Sequence, residues 1–459
     1  MQKEMIEMDG IKVSVIIYVK NTADYVEKCI RSVRNQTLQE IEILIIDGGS
    51  TDGTLDIIER MRREDERIRV FHGPASVGAQ FNLGLREARG QYIGVCEADD
   101  YILPEMYERQ YRIASENRLD VVRAGYFQIF SLYEKEYRFK LKSCYQDEMT
   151  EKVVISHHDT FFLEQGVNGF WNGIYRRQFL LDHHIWMNET KGAAYQDISF
   201  SFLTQMYAER IWFMNEAFYC YRIDNPNASV NSLHGVELHR KEYDELKRRL
   251  KDSNQWEEYK HLFFSWELIS YRWFLGELPG GLKVSNAVKI YQYLNTQREE
   301  ESYEEIKVME TVRKLAEVLP ISESEFAETI LSETEKGKEL LEYVENSLKY
   351  DKTIILFGVG HMGNIVKEFL ELCGKQVLLT DNGRLQQENG VMGKNVYRPE
   401  ELAVKFPYGK YIIANISHGA EMKEQLLGLG IPEGNILICD NEEFFLRKIF
   451  VKAGSWVEE

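Results

Sequence analysis

Residues 76–102 read SVGAQFNLGLREARGQYIGVCEADDYI, and the reading of this stretch decides the fold class. A helix near Gln80 to Ala88 leads into the apolar run Tyr92 to Cys96, which ends in Cys96-Glu97-Ala98-Asp99-Asp100. Upstream, Val13 to Val19 (VSVIIYV) is β-branched and uninterrupted, as a buried strand requires. Tyr25, Val26, Cys29, Ile30 and Val33 then fall at helical spacing. Ile41 to Ile46 (IEILII) is a second strand, Leu55, Ile58 and Met61 line a second helix, and Arg69 to Phe71 is a third strand. Strands that alternate with helices predict right-handed crossovers and a mostly parallel sheet, an α/β fold. Ligands of such sheets sit at the carboxyl ends of the strands.

Two acidic turns fall at those ends. In Ile45-Ile46-Asp47-Gly48-Gly49-Ser50-Thr51-Asp52-Gly53, glycines let backbone amides approach a ligand, and Asp47 and Asp52 can accept hydrogen bonds from a base and a ribose. The alternative is a turn whose Ser50 or Asp52 caps the next helix. In the second turn Glu97, Asp99 and Asp100 repel one another, and a bound Mg²⁺ or Mn²⁺ would relieve this. Its alternative is a solvated acidic cap before the helix that starts at Pro104.

The chain has 459 residues, enough for two to three domains at ~150 residues each. Its 56 basic and 74 acidic side chains leave a net charge of −18, which argues against a sequence-independent grip on nucleic acid and against a broad electrostatic membrane anchor. With 44% hydrophobic and 28% charged residues the composition is that of a globular protein. No run reaches the ~20 apolar residues of a spanning helix, and Met1 to Gly10 lacks a signal-peptide core. Cys29, Cys96, Cys144, Cys220, Cys373 and Cys439 form no CxxC pair, so the expected setting is a reducing cytoplasm.

VSVIIYVKN, then IIDGGSTDGT, then the stretch quoted first resembles the family 2 inverting glycosyltransferases with the GT-A fold. The resemblance covers Ile11 to Ser229. It implies a nucleotide-diphosphate-sugar donor, with Asp47 on the nucleobase, Asp52 on the nucleoside side, Glu97 as first acid of the DxD-type element and Asp99 as the metal residue. It implies Mg²⁺ or Mn²⁺ on the diphosphate. Departures are Tyr18 where the family has Pro, Lys20 where it has Tyr or Phe, Gly48 for a second Asp, Glu97 for Asp, and Phe81 for Arg.

The family's general base opens a helix about a hundred residues on, and Tyr195-Gln196-Asp197-Ile198-Ser199-Phe200 matches with Asp197 as the base and Gln196 in place of the usual acid. Asp197 as a helix N-terminal charge is the plain alternative. Asn168 to Arg177 resembles the acceptor-side segment, where Trp171 would stack on a sugar and Asn172 bond its hydroxyls; core packing is the alternative for Trp171. Phe218 to Ser229 resembles the segment over the diphosphate, with Arg222 as a phosphate contact. No His metal ligand is expected near Asp224, and the doublets His157-His158 and His183-His184 are expected on surface or helix.

A charged helical stretch follows, broken at Pro279-Gly280-Gly281 and near Pro320. Within it LFFSWELISYRWFL, Leu262 to Leu275, is either a helix packed on the core or, if exposed, a membrane or partner contact. Thr353 to Phe357 then leads into Gly358-Val359-Gly360-His361-Met362-Gly363, with Asp381 about 20 residues on, a dinucleotide-type fingerprint. Its readings are a site for a nucleotide or NAD built on Gly358, Gly360, Gly363 and Asp381, or a Rossmann-like fold kept for assembly. His361 would partly fill the phosphate cradle.

The expected organisation is a GT-A domain over 1–234, a helical region over 235–349 and a Rossmann-like domain over 350–459. The expected activity is metal-dependent inverting glycosyl transfer to a glycan, lipid-linked glycan or protein in bacterial surface-glycan synthesis, from the cytoplasm or the inner membrane face. The alternative is a non-catalytic nucleotide-sugar-binding or scaffold protein. NAD-dependent oxidoreductase chemistry in the C-terminal domain lacks a catalytic set, and homo-oligomer formation is left open.

Overall fold

The computed structural model describes residues 10–132, 135–141, 149–155, 169–192, 194–225, 235–277, 280–298 and, with short gaps, 351–438. The chain divides into two compact units, 1–331 and 332–459.

The first unit opens with β1 (Val13–Val19), α1 (Val26–Arg34), β2 (Ile41–Asp47), α2 (Thr54–Glu64), β3 (Ile68–His72), α3 (Val77–Glu87) and β4 (Tyr92–Val95). After it come β5 (Tyr101–Ile102), α4 (Met106–Asn117), β6 (Val121–Leu132), β7 (Lys135–Leu141), β8 (Val153–Val154) and β9 (Gly173–Arg176). The remaining elements are α5 (Arg177–Asp182), α6 (Asp197–Tyr207), β10 (Ile211–Arg222), α7 (Gly235–Asp252), α8 (Trp256–Glu277) and α9 (Gly280–Arg298). The described strands form one sheet of order β3-β2-β1-β4-β9-β6-β10-β5, with β7 on β6 and β8 on β10. β3, β2, β1 and β4 are parallel, as the alternation predicts, whereas β9 runs antiparallel to both β4 and β6.

Every residue of β1 and β2 is buried, which explains why both read as continuous apolar runs and not as alternating ones. Each fully buried Ile or Val here contributes about 1.5–3 kcal/mol. The aromatic stretch of α8 is core: Leu262, Phe263, Phe264, Trp266, Leu268, Tyr271 and Phe274 are all buried in the cluster that also holds the sheet residues. The reading of that stretch as an exposed membrane or partner surface is thereby corrected. Among the described residues no helix is long and apolar enough to cross a membrane.

The second unit holds β11 (Thr353–Phe357), β12 (Gln376–Thr380), β13 (Val396–Tyr397), α10 (Pro399–Lys405), β14 (Lys410–Ile413), α11 (Gly419–Gly428) and β15 (Ile436–Ile438). Its strands are all parallel, in the order β13-β12-β11-β14-β15. Ile355, Phe357, Leu402, Tyr411, Ile413 and Leu426 make its core. Pro279, Pro320, His157, His158 and His361 lie outside the described residues, as do Asn168 and residues 226–229 of the two segments named above.

Candidate active site

The carboxyl ends of β1, β2 and β4 carry the predicted turns. Asp47, the last residue of β2, is 2% exposed and accepts from the amides of Gly49 at 3.0 Å and Ser50 at 3.1 Å. Its carboxylate therefore shapes the glycine turn. Asp52 accepts from Ala23 N (3.1 Å), Thr54 N (3.1 Å) and Thr54 Oγ1 (2.6 Å), which ties the start of α2 to the loop after β1. Burial works to raise its carboxyl, but these bonds prevail and hold it below the usual range. Asp52 lies one residue before the Gly53 N-cap of α2, which carries no side-chain cap bond, so its carboxylate orders the turn and does not cap the helix.

After β4, the three acids have separate surroundings. Glu97 accepts from Tyr18 Oη at 2.5 Å. Burial, then the charge of Asp99, and also that of Asp197, push its carboxyl up to about 8, against the bond from Tyr18. Asp99 accepts from Asn225 Nδ2 at 2.7 Å. Asp100 is 2% exposed and accepts from Tyr219 Oη and Arg222 N, both at 2.7 Å. Burial and the two neighbouring acids raise it well above the carboxylate range. Arg222 donates from Nε to the Asp99 carbonyl at 3.0 Å and from Nη1 to Asp224 at 3.0 Å, and its guanidinium lies over the Tyr25 ring. It is fixed beside the acidic turn with its donors partly used.

Asp197 is the first residue of α6 and half-buried, and burial raises its carboxyl. Its charge acts on Glu97 and on the buried Tyr18, so it lies within electrostatic reach of the acidic turn a hundred residues upstream. The turn that presents it is stapled: Gln196 Oε1 accepts from Gly78 N at 3.1 Å, and Nε2 donates to Thr190 Oγ1 at 2.9 Å and Gly192 O at 3.2 Å. α7 reinforces this, because Glu242 accepts from Asn188 Nδ2 at 2.6 Å and from Thr190 Oγ1 at 2.5 Å. Gly78 is required there, since a Cβ would lie 1.9 Å from Asn188 O.

The two acceptor-side residues are placed inside the framework. Asn172 is fully buried, accepts from Arg123 Nε at 2.6 Å and donates to Ala124 O at 2.7 Å. The expected contact from Asn172 to an acceptor hydroxyl is therefore corrected to a structural role. Trp171 is 7% exposed and stacks on Tyr219 and Tyr221 with centroids 4.2 and 4.9 Å apart, so packing is its realised role. His183 and His184 are exposed beyond α5, as expected. Among the described residues no group of three His, Cys, Asp or Glu is arranged to hold a metal by itself.

Tyr18, Tyr219, Asn225 and Glu242 were not legible as site residues. Tyr18 did carry a signal, since it occupies a Pro position in the resembled pattern and bonds the Glu that stands for Asp.

Residues 14–179 match the family model described as Glycosyl transferase family 2. The putative glycosyltransferase EpsH of Bacillus subtilis (strain 168) is 32% identical over 219 residues, 47% of this chain and 62% of the relative. The chain thus spans less than two thirds of that relative. The cholesterol galactosyltransferase of Borreliella burgdorferi is 29% identical over 265 residues, 55% of this chain and 72% of the relative. Residues 1–349 of S. aureus TarS, in a crystal structure with UDP-GlcNAc, are 18% identical with a TM-score of 0.49, covering 72% of this chain and 92% of that one.

Proposed function

We propose, from the premise that residues 14–179 are a family 2 glycosyltransferase domain, that the first unit transfers a sugar from a nucleotide-diphosphate donor to an acceptor hydroxyl with inversion. What supports this is that the charge of Asp197 reaches Glu97 of the acidic turn and the buried Tyr18 that bonds it. Asp197 takes the acceptor's proton as its oxygen attacks the anomeric carbon. Burial that raises a carboxyl makes it a stronger base, which suits that task. Asp47 and Asp52 hold the glycine turn against the nucleoside, and Arg222 faces the diphosphate. Trp171 braces Tyr219, which in turn bonds Asp100.

The acidic turn suits a hard divalent cation. A carboxyl that burial, and then the charge of Asp99, push up to about 8 gains from one, and Mg²⁺ or Mn²⁺ needs only one or two carboxylates beside phosphate oxygens. Asp99 would hold it with Glu97 alongside, and the ion would neutralise charge on the departing diphosphate. The acceptor is a glycan, lipid-linked glycan or protein hydroxyl in surface-glycan synthesis, reached from the cytoplasm or the inner membrane face.

The test is nucleoside-diphosphate release from a panel of UDP- and GDP-sugars with Mn²⁺, for wild type, Asp197→Asn and Asp99→Ala. Turnover in wild type that is lost in both variants supports the assignment. Full turnover in Asp197→Asn would overturn the base, and donor binding without turnover on any acceptor would favour a binding protein.

A further inference from the structure

The turn that presents Asp197 is held by a helix outside the matched residues 14–179. Tyr195, two residues before Asp197, has φ +67°, in the left-handed region that a non-glycine residue seldom adopts. Such a conformation costs free energy and persists where its surroundings impose it, most often at functional sites. Ile198 N donates to Tyr195 O at 3.1 Å and closes the turn into α6.

The packing shows what imposes it. The ring of Tyr195 lies 3.7 Å, centroid to centroid, from the imidazole of His239 on α7. His239 is 2% exposed and also meets Phe274 of α8, with centroids 5.4 Å apart. The aromatic stretch of α8 is thereby part of the support. Glu242 follows His239 by three residues, so the two share one face of α7. A carboxyl as deeply buried as that of Glu242 is costly unless its oxygens are bonded. Both are, one to Asn188 and the other to Thr190, which accepts in turn from Gln196 beside Asp197. The start of α3 grips the same segment, since Val77 N donates to Gly192 O at 3.0 Å and Ser76 Oγ to Thr190 O at 2.7 Å.

We infer that His239 and Glu242 are positioning residues for Asp197, the first by holding Tyr195 in its left-handed conformation and the second by holding Thr190 and, through it, Gln196. The inference rests on the reading of Asp197 as the base. It gives α7 and α8 a part in the chemistry, because a displacement of about 1 Å at a reacting group can cost ~10²-fold in rate.

Two readouts on the full chain test this, for wild type, His239→Ala, His239→Phe, Glu242→Ala and Asp197→Asn. One is nucleoside-diphosphate release from the UDP- and GDP-sugar panel with Mn²⁺, and the other is amide hydrogen exchange at residues 195–198. His239→Ala and Glu242→Ala are each expected to lower kcat by about ten- to a hundredfold, with the donor KM within about twofold of wild type. Both should speed exchange at 195–198 and leave β1 and β2 unchanged. His239→Phe keeps a ring against Tyr195 and is expected to restore most of the rate. A loss in His239→Phe as deep as in His239→Ala would overturn the stacking role. Wild-type exchange at 195–198 in both alanine variants would overturn the inference even where no donor turns over, and so would acceleration that extends through β1 and β2. Full turnover in Asp197→Asn would remove the base and the inference with it. Turnover lost in Asp197→Asn but kept in both alanine variants would overturn the positioning alone.

Discussion

Glu267 lies on α8 with no exposed surface, in the shared core of the first unit. Burial, then the charge of Asp244, pushes its carboxyl up to about 8, against Lys247 and the hydroxyls of Tyr293 and Tyr271. An unfolded chain would release that proton near 4.5, so the protonated form favours the fold. The stabilisation is complete below about pH 4.5 and is lost as pH rises through about 8. Each pKa unit is worth ~1.4 kcal/mol, so the full span is on the order of 5 kcal/mol. Between pH 6 and pH 8 the loss is about 2 kcal/mol. Glu267→Gln keeps the shape and removes the titration. Urea unfolding followed by tryptophan fluorescence reports mainly this unit, since six of the seven tryptophans precede residue 332. Wild type should lose stability over that interval by about 2 kcal/mol more than Glu267→Gln. Parallel losses in the two proteins would refute the reasoning.

Three further outcomes follow from the site. Asp197→Asn should lower kcat by roughly 10²–10⁴-fold while calorimetry finds donor affinity nearly unchanged; loss of both together would mean a structural role. Tyr18→Phe removes the bond that lowers Glu97, so the Glu97 carboxyl rises further and the acidic limb of the kcat/KM profile moves to higher pH, with about 1.5–3 kcal/mol of site stabilisation lost. An unmoved limb would detach Tyr18 from the chemistry. Gln196→Glu turns a donor facing Thr190 and Gly192 oxygens into an acceptor and should cost about 3 kcal/mol in denaturant unfolding. A neutral change would show that the staple does not hold the Asp197 turn.

The parallel half of the sheet was legible because its signals are local. Buried strands are continuous apolar runs, helices repeat at their own period, and the acidic turns sit where strands stop. The antiparallel insertion of β9 between β4 and β6 was not, since pairing partners about 50 to 80 residues apart leave no period in the sequence. The same limit separates Asp197 from Asn172. Asp197 opens a helix, a position with a sequence signature. Asn172 looks equally polar, but its bonds to Arg123 and Ala124 form only once β6 and β9 are side by side. The integration of α7 was hidden for a similar reason: Glu242 reads as one more charge on a charged helix until its carboxylate meets Asn188 and Thr190.

Three departures from the resembled pattern make physical sense as adaptations and not as decay. Glu97 is longer than Asp, and Tyr18, in place of Pro, brings a hydroxyl that fixes the longer carboxylate. Gln196 stands where an acid is usual, yet its pocket offers three acceptor oxygens to Nε2 and one amide donor to Oε1. A second carboxylate there would leave those acceptors unmatched and would add charge beside Asp197 and Glu242, whose carboxyl burial already pushes up to about 7. Thr190 completes the sequence of bonds, accepting from Gln196 and donating to Glu242, so each group has a role that a charged partner would break. A site drifting toward inactivity would have no reason to keep such matched substitutions around the residue proposed to carry the proton.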